Sequence, residues 1–297
     1  MHLKKPKDIG LYLLMVPGVL IVFVFCYVPM AGLVIAFQDY SIFKGIQASS
    51  FVGLKHFIKL FSQGNFTRIL RNTIMVSVYR IVFGFPIPII LALFINEIRT
   101  ILPKRIVQTI IYLPHFLSWV IVYGLFVSFF SASGSIMRAI YAHSDSVPVI
   151  LTDSSLFRSI LVGTSIWKES GWGTVLYMAA ITSIDPQLYE SAIIDGAGRL
   201  RLMRHITLPG IAPTIIMVLI IRIGSLIDSQ TEQVLLFLNP LVYETGDVIG
   251  TYIYRMGLGK MEYSFSTAVG LFGSVIGFAL MLLANSLSKK HAGRSIW

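Results

Sequence analysis

The sequence predicts an all-α, polytopic membrane protein with six transmembrane helices, and three observations carry that prediction. Hydrophobic residues fill 55% of the 297 positions and charged ones only 13%, with a mean hydropathy of +0.77, against about 25% charged residues in soluble domains. Apolar runs long enough to cross a bilayer recur along the chain, and the basic residues gather in the short segments between alternate runs.

The first run follows Lys4, Lys5 and Lys7 and extends from Ile9 to about Phe37. It is too long for a signal-peptide core and has no small-residue cleavage site, so it is expected to stay attached as the first span. A hydrocarbon core about 30 Å thick needs roughly 20 apolar residues in a helix, because backbone groups in lipid must be satisfied within their own segment. Six stretches meet that demand, near 11–37, 72–97, 106–131, 156–183, 207–228 and 265–287, and together they predict one transmembrane domain over 1–297.

An even number of spans puts both termini on one side. The segments on that side hold Lys4, Lys5, Lys7, Arg99, Lys104, Arg105, Arg199, Arg201, Arg204, Lys289, Lys290 and Arg294. The opposite segments are about twice as long yet carry fewer basic residues. The positive-inside rule therefore places both termini in the cytoplasm. The net charge of +10 needs no nucleic acid partner, since the sequence shows no basic face on a soluble domain. Cys26, the one cysteine, lies inside the first run and excludes an internal disulfide.

Between the first two spans, Phe51, Leu54, Phe57, Ile58 and Phe61 recur at helical spacing. Two readings stand: a helix lying on the outer leaflet, or one packed on the outer ends of the spans. Prolines fall inside several spans, at 17, 29, 86, 88, 114 and 213, and the pair Pro86 and Pro88 is the strongest candidate for a kink. Such kinks either surround a cavity or are tolerated where neighbouring helices re-satisfy the backbone.

The segment Asp185 to Pro209 reads DPQLYESAIIDGAGRLRLMRHITLP. Asp185 is placed to cap a helix whose first residue is Pro186, and Gly196 is placed to stop it. Arg199, Leu200, Arg201, Met203, Arg204 and Ile206 then predict a second short helix before Pro209 opens the next span. A helical hairpin on the cytoplasmic side follows. Taken alone, its arginines would also suit anionic lipid headgroups.

The spacing is more specific than the charge. Glu190-Ser191-Ala192, three residues, Gly196, nine residues, then Ile206-Thr207-Leu208-Pro209 resembles the EAA signature of permeases in binding-protein-dependent ATP-binding-cassette importers. Ser191 departs from the second alanine of that signature, a small-for-small change. TIIYLPHFLSWVIVYGLF from Thr109 and NPLVYETGDVIGTYIYRMGL from Asn239 extend the resemblance to the polysaccharide-type branch of the maltose-permease-like carbohydrate group. The resemblance implies the type I importer permease fold in a bacterial cytoplasmic membrane. It also implies a coupling helix seated on an ATPase subunit, with Glu190, Ser191, Ala192, Asp195, Gly196, Leu208 and Pro209 at or near that contact. The implied partners are a second permease, two ATPase subunits that hold ATP and magnesium, an extracytoplasmic solute-binding protein and a carbohydrate.

This chain has no G-x-x-x-x-G-K-[ST] phosphate loop; Gly257-Leu258-Gly259-Lys260 lacks the spacing. It is expected to be a transport subunit without a cofactor, a metal site or catalytic residues of its own, since its histidines show no ligand spacing and no nucleophile motif occurs. Candidates for the substrate pathway are Trp119 and Tyr123, four residues apart on one helical face, with Trp167, Trp172, Gln230 and Gln233. The rings suit apolar sugar faces and the amides suit hydroxyls, although packing and loop support account for such residues equally well. Arg80, Lys168, Glu169 and Arg222, charged and within or near spans, need partners or water. A self-sufficient carrier or channel is the alternative, and a membrane enzyme the third reading; both leave the Glu190 to Pro209 spacing a coincidence.

Overall fold

The computed structural model describes residues 9–143, 147–227 and 230–292. Lys4, Lys5, Lys7, Asp8, Asp228 and Arg294 lie outside the described residues. The described chain forms two compact units, one from residues up to 64 together with 253–272, the other from 65–252 together with 273 onward.

The first unit opens with α1, Gly10–Phe37, a helical run whose large apolar side chains are mostly exposed. A short ribbon follows, β1 (Gln38–Asp39) antiparallel to β2 (Ser50–Phe51), with Gln38 opposite Phe51 and Asp39 opposite Ser50. α2, Lys55–Ser62, is held to the ribbon by charge: Lys55 reaches Asp39 at 2.6 Å and His56 Nε2 lies 3.0 Å from the Gln38 carbonyl. Its buried positions are His56 and Leu60, Phe57 packs on Phe37 at 5.4 Å between ring centroids, and Leu54 and Ile58 face outward. Helical spacing therefore found the helix but mixed its two faces. In the same unit Lys59 pairs with Glu262 at 2.6 Å and lies over the Phe265 ring.

The second unit is a helical bundle. α3, Phe66–Asn96, widens into a π turn at Arg80–Gly84 just before Pro86 and Pro88. Neither proline supplies an N–H, and the Phe85 amide is shared between the carbonyls of Arg80 and Ile81 at 3.2 and 3.3 Å. The expected kink site thus takes the form of a widened turn.

The stretch expected to form one span over 106–131 is interrupted. α4, Ile101–Tyr112, passes into a 3-10 turn at Leu113–Phe116, and α5, Trp119–Phe130, begins anew with the Ser118 hydroxyl accepting the Ile121 amide. Pro114 lies in that turn, where its missing N–H favours a break. Hydropathy runs unbroken across it, which is why the interruption escapes a composition-based reading.

α6, Ser154–Thr182, has 29 residues and so spans about 43 Å at 1.5 Å per residue. The Asp153 carboxylate caps it by accepting the Ser155 amide at 2.8 Å. At Gly171 a Cβ would stand 2.0 Å from the Ile111 carbonyl oxygen, so only glycine lets α4 approach this closely. α6 contributes Phe157 and Leu161 to one buried cluster with Val76, Val234 and Phe237, and Tyr177, Met178 and Ile181 to another with Ala92, Ile95 and Ile211.

α7 (Pro186–Ile194) precedes α8, which runs without a break from Arg199 to Gly224. The separate short helix expected before Pro209 is therefore the first part of the fifth long helix, joined through a π turn at Met203–Thr207. That wider turn absorbs the missing N–H of Pro209. α9 (Thr231–Phe237) and α10 (Tyr263–Ala292) complete the fold. Five helical runs among the described residues are long and apolar enough to cross a membrane: α1, α3, the run Trp119–Ile140, α8 and Tyr263–Lys290 within α10. α6 has the length but carries Arg158, Lys168 and Glu169.

Candidate functional site: an exposed hairpin and a cavity

The expected capping signals of the first hairpin helix have structural counterparts. Asp185 Oδ1 accepts the Gln187 amide at 3.0 Å, and Pro186 occupies the first helical turn. Gly196 has φ +77°, the left-handed region that glycine enters without cost. With it the Ala197 amide reaches the Ala192 carbonyl at 2.9 Å and the Gly196 amide reaches that of Ile193 at 3.0 Å, the paired bonds of a Schellman cap.

α7 has no buried residue. Glu190, Ser191, Asp195 and Gly196 are exposed and Ala192 is half-buried. Ile194 keeps 85% of its surface exposed, more than solvation alone favours for so apolar a side chain. Leu208 and Pro209 are exposed in α8. The Tyr189 hydroxyl of α7 lies 3.0 Å from the hydroxyl of the buried Thr207 in α8, and Arg199 lies 3.8 Å from Glu97 at the end of α3.

The same unit holds a partly open cavity of about 500 Å³, within the roughly 300 to 1,000 Å³ of ligand-sized sites. Its wall includes Arg80 from the π turn of α3, Ser165, Glu169 and Trp172 from α6, Arg222 from α8 and Gln230. Of the six pathway candidates, Trp172 and Gln230 line this cavity and the other four do not. Trp119 is buried with the Lys168 ammonium 5.3 Å from its ring centre. Tyr123 packs edge-on against Phe237 at 5.0 Å. Trp167 is exposed elsewhere. Gln233 is fully buried, donating to the Leu161 carbonyl and the Thr164 hydroxyl while its Oε1 accepts from Arg80.

The charged residues find specific settings. Lys168 is buried, pairs with Glu169 Oε1 at 3.2 Å and donates to the His115 carbonyl at 2.9 Å. Glu169 Oε2 meets His115 Nδ1 at 3.1 Å, and the His115 ring lies flat on Trp172 at 4.8 Å. The broken segment at Leu113–Phe116 is thereby pinned to the cavity wall. Arg222 makes no ion pair among the described residues, and Asp228, six residues further along the chain, lies outside them. Ser165 and Ser170 also line the cavity, and nothing in their sequence setting singled them out.

The model of the family described as binding-protein-dependent transport system inner membrane component matches residues 84–292. The chain belongs to that family. This permease is 47% identical to Protein LplB of Bacillus subtilis (strain 168), over 96% of this chain and 90% of that one. It is 45% identical to the polygalacturonan/rhamnogalacturonan transport system permease protein YteP of the same organism, over 97% and 90%. Among solved structures it superposes with a TM-score of 0.87 and 40% identity on a chain of a bacterial alginate ABC transporter crystallised with an alginate pentasaccharide-bound periplasmic protein, covering 98% of this chain and 97% of that one. The permease fold, the membrane setting and the helical architecture expected from the sequence accord with these relationships.

Proposed function

We propose that this permease forms half of a carbohydrate translocation pathway and is driven through α7 by a separate ATPase. The observation that carries the reading is a helix with a defined cap at each end and no buried residue, which leaves Leu188, Ile193 and Ile194 for a partner's groove. A rigid exposed helix joined to the foot of α8 is suited to pass an external displacement into the bundle.

The carbohydrate assignment draws support from a relative named for polygalacturonan/rhamnogalacturonan transport and from an alginate transporter whose substrate is an acidic polysaccharide. A second permease, two ATPase subunits and an extracytoplasmic binding protein complete the assembly. ATP and magnesium belong to the ATPase, since this chain carries no phosphate loop. Both termini lie in the cytoplasm, on the side of the basic loops.

The test is reconstitution of the importer with Gly196→Glu. A Cβ there meets open space, and the left-handed backbone makes the cost local, about 1 to 2 kcal/mol. Oligosaccharide uptake and substrate-stimulated ATP hydrolysis should collapse while the permease still inserts and assembles in the bilayer. Full uptake by the variant would refute the coupling role.

A further inference from the structure

We infer that His115 is a positioning residue of the cavity: it fixes the Trp172 ring, so that one indole face is covered and the remaining ring surface is offered to the passing sugar. This rests on the carbohydrate reading above and gives a role to a side chain that is not itself part of the cavity wall.

Trp172 and Glu169 belong to that wall and His115 does not. The His115 imidazole lies parallel to the indole, with 4.8 Å between centroids and 5° between planes. Phe116 meets the same indole nearly edge-on at 6.5 Å. Both rings come from the turn between α4 and α5. An indole left to itself rotates about its side-chain bonds, and a ring stacked on one face removes that freedom before any ligand arrives. Trp172 nonetheless keeps about half of its surface exposed, so contact area remains for a ligand.

His115 is in turn held by a closed ring of contacts. Its Nδ1 meets Glu169 Oε2 at 3.1 Å, Glu169 Oε1 pairs with Lys168 at 3.2 Å, and Lys168 donates back to the His115 carbonyl at 2.9 Å. A carboxylate only accepts, so Nδ1 carries a proton. Lys168 and Glu169 stand at the midpoint of the 29-residue α6, where charge in a membrane bundle is costly. Well-packed apolar residues of similar volume would join the two segments at least as firmly. What the charged set adds is direction: ring and carbonyl of His115 are both held, which sets the plane of the imidazole and with it that of Trp172.

The experiment is a double-mutant cycle, read as the affinity of the detergent-solubilised importer, without its binding protein, for an oligogalacturonide and for a neutral oligosaccharide. His115→Asn keeps an N–H for Glu169 and deletes the ring; affinity should fall roughly 3- to 10-fold, the worth of one aromatic contact. His115→Phe keeps the stack without the bond to Glu169 and should lose less. Trp172→Ala should lose at least as much as His115→Asn, and in that background neither change at position 115 should cost anything further. Should the asparagine variant fail to assemble, His115→Phe carries the same cycle. Undiminished affinity in Trp172→Ala or His115→Asn overturns the inference. So does a loss at position 115 that is equally large without the indole, which would make His115 a structural pin alone; each of these outcomes leaves a carbohydrate permease intact. Failure of both sugars to bind also overturns it, and if the complete importer takes up neither, the carbohydrate reading falls as well.

Discussion

The Tyr189 hydroxyl lies 3.0 Å from the Thr207 hydroxyl, so α7, which has no buried residue of its own, is tied to a buried residue of α8. The bond sits at the π turn where the hairpin becomes the fifth long helix. In the coupling role proposed above, a push on α7 would arrive at a π turn of α8, where the helical register is already relaxed.

Removing that tie with Tyr189→Phe keeps the ring and deletes one hydrogen bond, a change of about 0.5 to 1.5 kcal/mol. Folding should survive. Sugar moved per ATP hydrolysed should fall in proteoliposomes, whereas an unchanged ratio would make the contact merely structural.

Gly171→Ala should be among the most damaging single-methyl changes in the molecule. Its Cβ would stand 2.0 Å from the Ile111 carbonyl oxygen, a backbone atom that cannot rotate away. Overpacking of this kind costs about 1 to 3 kcal/mol, and a lowered Tm of the detergent-solubilised protein checks it.

Glu169→Gln leaves the Lys168 ammonium buried without its counter-charge. Breaking such a pair costs about 3 to 5 kcal/mol, whereas replacing both members with uncharged residues is often far milder. The double variant Lys168→Met/Glu169→Gln should therefore be more stable than Glu169→Gln alone, as thermal unfolding will reveal.

Asp39, beyond the end of α1, is held below its ordinary value of 3.8 mainly by its hydrogen bond to Lys55, with the charges of Lys55 and His56 adding and partial desolvation opposing. Because the folded pKa is the lower one, the contribution is present above the unfolded value and is lost as pH falls through the folded value. Hydrogen exchange at the amide of Val52, which donates to Phe37 at 2.8 Å, should thus be faster in Asp39→Asn than in the wild type at pH 6 to 7, with the difference shrinking as pH falls below 3.8. The exposure of the pair keeps the difference small.

How much of this was legible beforehand follows from what each signal measures. Hydropathy located the long helices, because lipid imposes a length on any span, and Asp185, Pro186 and Gly196 marked the hairpin through local capping chemistry. The break at Leu113–Phe116 was hidden, since apolar residues continue through it and only the geometry around Pro114 decides it. Among the pathway candidates, Trp172 and Trp119 look alike in sequence, yet one lines the cavity and the other is packed beneath Lys168. Which face of a helix meets a cavity is set by its neighbours, and residue type alone carries no such information. The same limit explains Gln233, whose amide is spent on Leu161, Thr164 and Arg80.

The most direct test compares sugar accumulation in proteoliposomes containing the two permeases with and without the ATPase subunits, binding protein and ATP supplied in both. Accumulation against the gradient should require the ATPase and vanish when it is omitted. Uphill uptake by the permeases alone would contradict an account in which α7 receives its force from another subunit.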